Sequence, residues 1–305
     1  MSCSGSIGWR GYAKVSGNTL PFTRAQVQTK REIIISDPLM VDSKGSNFRF
    51  DHNYTLGKEL TEANISTEVY SSGGYKAAFL ALLNLAIGTS KGCNRLTGGG
   101  SSSLEISPNG GTLITLPGSS GKALVTGFSI RGNAGGIIDA NFNVVSTSNS
   151  TGAASSTADL QFETAGTTED SNPVPYYATS VVVGGSGQDS IVNANITDWN
   201  INVSSDATPI YGFCDNSSSR VPVNLRAGRI RVQGSFTYYA PAGLYVSTLA
   251  DGASVAIDVV ATTLTMPNVV FESAPITNNG ANSPVFRTVN FRALGTADHG
   301  AIYTS

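Results

Sequence analysis

The feature that most constrains this chain is a two-residue alternation of apolar and polar side chains that recurs through its second half. Ile138, Ala140, Phe142 and Val144 are interleaved with Asp139, Asn141 and Asn143. Thr197, Trp199, Ile201 and Val203 oppose Asp198, Asn200 and Asn202, and Ile230, Val232, Phe236 and Tyr238 oppose Arg229, Arg231, Gln233 and Ser235. Successive side chains on a strand point to opposite faces, so a period of two marks a strand with one buried and one wet face. The stretch before Ile138 follows the same rule. Leu124, Thr126, Phe128 and Ile130 are placed on one face and Val125, Gly127, Ser129 and Arg131 on the other. The Gly132–Gly136 turn then folds the two stretches into a hairpin.

Upstream, residues 9–35 read as strands broken at Ser16-Gly17-Asn18 and ending in the β-branched run Ile33-Ile34-Ile35. Residues 47–56 place Phe48, Phe50 and Tyr54 on one side, and Thr61–Tyr70 alternates Ala63, Ile65, Thr67 and Val69 against Glu62, Asn64, Ser66 and Glu68. One helix is predicted at about 75–87, where Phe79, Leu82, Leu83, Ala86 and Ile87 recur at helical spacing and Gly88 supplies the stop. It is apolar nearly all round, which predicts burial against a sheet or a neighbour. Strands at 254–266 and 284–294 close the chain. Strands without intervening helices predict a mainly β fold, an antiparallel sandwich or barrel with one flanking helix. Two parts are expected: N-terminal strands or an arm over 1–60, and a β-sandwich domain over 61–305 with long loops at 88–120, 147–173 and 204–227. A single domain throughout is the alternative.

Composition narrows the function classes. Charged residues make up 13% of the 305, about half the usual share, and acids slightly outnumber bases, 21 against 19. A phosphate-gripping protein normally carries a basic excess, and this chain does not. The three cysteines, Cys3, Cys93 and Cys214, are odd in number and widely spaced, so free thiols in a reducing cytoplasm are expected rather than a disulfide framework or zinc. The first residues lack the charge and apolar run of a secretory signal, and Ala77–Ile87 is too short to span a bilayer, so a soluble product without a membrane partner is expected.

The motifs that carry chemistry are weak. His52 and His299 are the two imidazoles, and no G-x-S-x-G elbow accompanies them. Gly118-Ser119-Ser120-Gly121-Lys122 fails as a phosphate loop, because Leu116 stands where the first glycine belongs and Ala123 where a magnesium-binding hydroxyl belongs. Gly184-Gly185-Ser186-Gly187 follows a strand but opens no helix. Glu59/Glu62 and Glu169/Asp170 read as solvated charge, and Trp9 and Trp199 as core or interface anchors. No catalytic, cofactor or metal residues are assigned, and no cofactor is expected.

Two segments resemble units of phage tail tube proteins. One is Lys122–Val145, a strand, a Gly-rich turn and a strand. The other spans 196–240, with Ile196–Val203 as one strand, Pro209-Ile210-Tyr211-Gly212 in the loop and Gly228–Tyr239 as the return strand. Thr265–Val269, Val289–Ala293 and the strand and helix of Glu62–Ile87 fit the same plan, so the resemblance covers most of residues 60–294. It implies a β-sandwich with a flanking helix, assembled with copies of itself into rings, usually hexamers, that share an inner β-barrel and stack into the tube of a virion tail. Subunits made in the host cytoplasm would then meet tape measure, terminator, baseplate and, in a contractile tail, sheath proteins. DNA would be met only in transit through the lumen.

On that resemblance the candidate lumen-lining residues are Ser129, Arg131, Asp139, Asn141, Asn143, Asp198, Asn200, Asn202, Arg229, Arg231, Gln233 and Ser235, with Phe128, Phe142, Trp199 and Phe236 in the subunit core. The polar faces equally suit the outer sides of an ordinary sandwich. Loops around 40–58, 88–120 and 204–227 are the candidate contacts between subunits. Two rivals stand beside the tube. A tail-tip or baseplate ring protein of the same fold would form one ring and stop, whereas a carbohydrate-binding or adhesion module would line a groove with exposed aromatics.

Overall fold

The alternating segments pair with one another into antiparallel sheets. The computed structural model describes residues 11–36, 53–88, 95–97, 103–108, 112–119, 121–153, 173–184, 196–212, 220–239, 253–273, 276–278, 285–295 and 300–304. All three cysteines, both histidines, Trp9, Phe48, Phe50, Glu169 and Asp170 lie outside these residues.

In chain order the elements are β1 (Tyr12–Val15), β2 (Asn18–Pro21), β3 (Arg24–Ser36), β4 (Asn53–Glu68), α1 (Gly73–Ile87), β5 (Arg95–Thr97), β6 (Leu104–Ser107), β7 (Thr112–Leu116), β8 (Lys122–Asn133), β9 (Asp139–Ser146), β10 (Ser150–Ala153), β11 (Ser180–Gly184), β12 (Ile196–Ile210), β13 (Asn224–Tyr239), β14 (Ala253–Asp258), β15 (Thr263–Ser273), β16 (Ile276–Asn278), β17 (Val285–Ala293) and β18 (Tyr303–Thr304). The small sheet has the order β10-β7-β6-β1-β2. The large sheet runs β11-β14-β15-β17-β13-β12-β8-β9-β4-β3, with β16 on β17, β18 on β15 and β5 on β8.

The large sheet bends over its own apolar side. Strands β11 and β12 stand five steps apart in its order, roughly 24 Å in a flat sheet. Yet the indole N–H of Trp199 on β12 meets Oγ1 of Thr179, next to β11, at 3.4 Å. The result is sandwich-like, and among the described residues the sheet does not close into a barrel: β11 and β3 are its two ends.

Helix α1 lies between the layers, packed on β1 and β2 on one side and β8 on the other. That position explains a helix apolar nearly all round. Phe79 meets Phe142 of β9 edge-on at 5.8 Å, and Phe142 meets Phe128 of β8 at 6.1 Å. Gly88 ends the helix with a positive φ of 79°, which favours glycine, and donates its N–H to the Asn84 carbonyl at 2.9 Å. One continuous core takes in Val15 and Leu20 of the small sheet, Leu82 of the helix, and Phe142, Trp199, Phe236 and Val255 of the large sheet.

Several boundaries differ from the sequence expectation. The 88–120 region expected as a loop contains β5, β6 and β7, short strands whose Gly/Ser-rich flanks hide their alternation. The expected loop 147–173 begins with β10. The expected loop 204–227 shrinks to the span between Ile210 and Asn224, because β12 and β13 run on as a two-stranded ribbon with no apolar face to announce it. The strand expected at 254–266 is two strands joined at 259–262. Strand β4 runs unbroken across the boundary expected at 60, and β1 and β2 contribute to the common core. In β8 a bulge at Thr126 shifts the phase, so Val125 is buried and Thr126 half-exposed, the reverse of the predicted facing.

A polar wall, an open edge and two ribbons

The polar halves of the alternating strands meet in register and form a wall. One row reads Arg24 (β3), Ser66 (β4), Asn141 (β9), Ser129 (β8), Asn202 (β12), Gln233 (β13) and Arg292 (β17), each directly opposite the next. A second row reads Glu68, Asp139, Arg131, Asn200, Ser235 and Asn290. A third passes from Gln26 through Asn64, Asn143 and Gly127 to Ser204 and Arg231. Asp198 sits one step beyond the second row, opposite Asn133 and Thr237. Arg229 sits where the β12–β13 register shifts between Ser205 and Ala207. Eleven of the twelve residues singled out in the sequence thus share one face of one sheet, and Arg229 lies at the irregularity on the ribbon. Their apolar neighbours Phe128, Phe142, Trp199 and Phe236 are buried on the other face.

Gly127 lets β8 and β12 approach this closely. A Cβ at that position would lie 2.3 Å from the carbonyl oxygen of Val203. The third row therefore has a gap in its side chains at its centre. Between β3 and β12 the wall is hollowed by a concavity of about 410 Å³, lined among others by Gln26, Lys30, Asn64, Asn143, Asn202 and Ser204.

Charge on the wall is paired across strands. Arg131 meets Asp139 at 3.0 Å, Arg231 meets Asp206 at 3.3 Å, Arg292 meets Glu272 at 2.9 Å, and Lys30 meets Glu62 at 2.5 Å. These pairs are exposed and contribute little to stability. Their consequence is electrostatic: four of the wall's cations are already matched, which weakens their pull on phosphate, while Arg24 has no carboxylate partner among the described residues. Between them lie amides and hydroxyls bonded to each other, Asn64 donating to Asn143 at 2.7 Å and Asn200 donating to Ser235 at 2.6 Å.

Beyond the wall, two pairs of strands run on alone from the same end of the sheet. Strand β4 pairs with β9 only over Thr61–Glu68, so its first half continues with β3 as a ribbon. Strand β12 pairs with β8 only over Asp198–Ser204, and β13 pairs with β17 only over Val232–Tyr239, so 205–210 and 224–231 form a second ribbon. The ribbons touch where Lys58 lies over the Tyr211 ring, 5.2 Å from its centre, and the Tyr211 hydroxyl donates to the Glu59 carbonyl at 3.5 Å. Burial, then the charge of Glu32, pushes the Tyr211 hydroxyl up from its ordinary pKa.

Strand β3 pairs with β4 alone, so the other edge of its 13 residues has no strand partner among the described residues. Such an edge is a template for another chain, and the charges of Lys30, Arg31 and Glu32 are the usual means of restraining it. Which strand would end the sheet was not legible from the residues, because edge position depends on pairing order.

Among the described residues no group of three His, Cys, Asp or Glu side chains is placed to hold a metal ion. Glu59 and Glu62 are bound up in ion pairs with Arg31 and Lys30, and the Gly118–Gly121 segment is a turn closed by the Gly121 N–H on the Gly118 carbonyl at 3.1 Å. No helix among the described residues is long and apolar enough to cross a membrane. A comparison with curated proteins finds no match. The phage tail tube protein family, by contrast, matches residues 53–293, which take in β4, α1, the whole wall except β3, and both strands of the second ribbon. The chain belongs to the phage tail tube protein family, and is a structural protein of a phage tail.

Proposed function

We propose that copies of this chain join through their open strand edges into rings, six to a ring as is usual in the family, and that the rings stack into a tube with the polar wall facing the bore. The observation that carries this reading is the wall itself: one polar face across seven strands that ends on β3, whose outer edge has no strand partner among the described residues. Ring closure satisfies the backbone groups along β3 and removes an edge that would otherwise seed disordered association. The paired charges and the amide belt suit a conduit. Affinity for nucleic acid comes from cations that release counterions at phosphates, and on this wall the cations of four ion pairs have carboxylate partners. DNA would slide past such a surface without being held. Tape measure, terminator and baseplate proteins would meet the ends and bore of the tube, inside the virion tail.

The test is electron microscopy of the purified protein combined with accessibility. In a chain with its cysteines replaced by serine, an Asn202→Cys thiol should react with a bulky maleimide in free subunits and become protected in assembled tubes. Discrete single rings would favour the tail-tip alternative, and a monomer at high concentration would sink the reading.

A further inference from the structure

Six exposed apolar side chains gather at the two opposite ends of the large sheet's strands. At the ribbon end are Ile33, Ile210 and Val223, exposed by 60%, 42% and 52%. Val223 lies just before β13, whose Asn224 is opposite Ile210, and the Val223 N–H donates to the Ile210 carbonyl at 2.9 Å. At the far end are Ile137, Tyr177 and Tyr239, exposed by 44%, 87% and 40%. The 15 residues of β12 span about 50 Å, so these are separate surfaces.

Their chemistry also differs. On the ribbon Arg231, Arg31 and Lys30 are matched by Asp206, Glu59 and Glu62. Arg226 and Arg229 have no carboxylate within ion-pair distance among the described residues, nor has Arg220 beside them, and Glu32 is the one acid there without a cation. At the far end Arg131 is matched by Asp139, while Glu68 and Asp198 have no cation partner among the described residues; Arg24 is the unmatched cation of that part of the wall. On the polar face the surplus is basic at the ribbon and acidic at the far end, where Arg287 is in phase with the buried Val289 and Phe291 and so belongs to the other face. The neighbours of those carboxylates respond to it: burial and then the Asp198 charge push the Tyr176 hydroxyl up to about 12.

Neither end complements itself, and each complements the other. Resting on the tube reading above, we infer that the basic aliphatic tip of the β12–β13 ribbon docks on the acidic aromatic end of a second copy in the next ring, which gives the stack its direction. A head-to-tail contact between unlike surfaces repeats without closing, as a tube of many rings requires, and charged surfaces of opposite sign select the correct orientation over the reversed one.

The test uses full-length chains. Reversing the ribbon charge with R226E/R229E, or the far end with E68K/D198K, is expected to reduce tube yield about tenfold or more while melting curves stay near wild type. Mixing the two variants should restore tubes, because each supplies the end the other lacks. Wild-type tube yield from either variant alone overturns the inference, as does failure of two folded variants to rescue each other. A second readout needs no charge reversal. In a chain whose native cysteines are serine, Val223→Cys with Tyr177→Cys should give a ladder of disulfide-linked copies on oxidation. Tubes or rings that form without this ladder overturn the docking while leaving the tube reading intact. A wild-type chain that never leaves the monomer sinks the tube reading instead, and this inference with it.

Discussion

Strands β12 and β13 occupy two environments along one length. Over Asp198–Ser204 and Val232–Tyr238 each is flanked by strands on both sides, and Trp199, Ile201, Val203, Val232 and Phe236 are buried. Over 205–210 and 224–231 each has only the other, and apart from Leu225 no side chain is buried. Pro209 is tolerated there because the ladder it would interrupt has no strand on its far side. The wall half is held by the subunit's own core. The ribbon half has little of the subunit to hold on to, and its shape becomes useful when another copy covers it.

Substitution should separate the two halves sharply. Phe142, fully buried between Phe79 and Phe128, marks the strongest case. Phe142→Ala should destabilise the subunit by about 3–5 kcal/mol in urea denaturation, through lost burial and the cavity left behind. The next effect belongs to Gly127, where any Cβ collides with the Val203 carbonyl at 2.3 Å. Gly127→Ala should cost about 1–3 kcal/mol, since backbone rather than a pliable side chain must yield, and amide exchange should rise along β8 and β12. Against these, Thr208→Ala in the ribbon should change stability by less than about 0.5 kcal/mol. A ribbon substitution that unfolds the subunit as Phe142→Ala does would break the distinction.

What could be read from the residues follows the same division. Where one face of a strand is buried, alternation is enforced by solvent, and the spacing of Asn141, Asn143, Asn200, Asn202 and Gln233 alone marks the wet face of each strand. Where a strand buries neither face, solvent imposes no period, so 205–210 and 224–227 read as loop. The bulge at Thr126 was invisible for another reason: Val125 and Thr126 are both ordinary strand residues, and which one is extra depends on the partner strand. The order of the strands, and with it the open edge of β3, is a long-range property that no local pattern encodes. That edge also lies before the residues matched by the tail tube family, which begin at 53.

The smallest effect tests the far end of the wall. Burial first, and the charge of Asp139 second, raise the Glu68 carboxyl above its ordinary value of 4.5, partly offset by a hydrogen bond with Tyr70. A carboxyl with a raised folded-state pKa is easier to protonate in the fold than in the unfolded chain, so its ionisation works against folding. Below 4.5 both states hold the proton and the penalty is absent; it appears as pH rises through the raised value and persists at neutrality. Glu68→Gln mimics the protonated group. It should raise the melting temperature slightly at neutral pH and lose that advantage in acid. An equal gain at both pH values would mean that packing, rather than charge, sets the strain at Glu68, and the carboxylate surplus assigned to this end would then lack its main support.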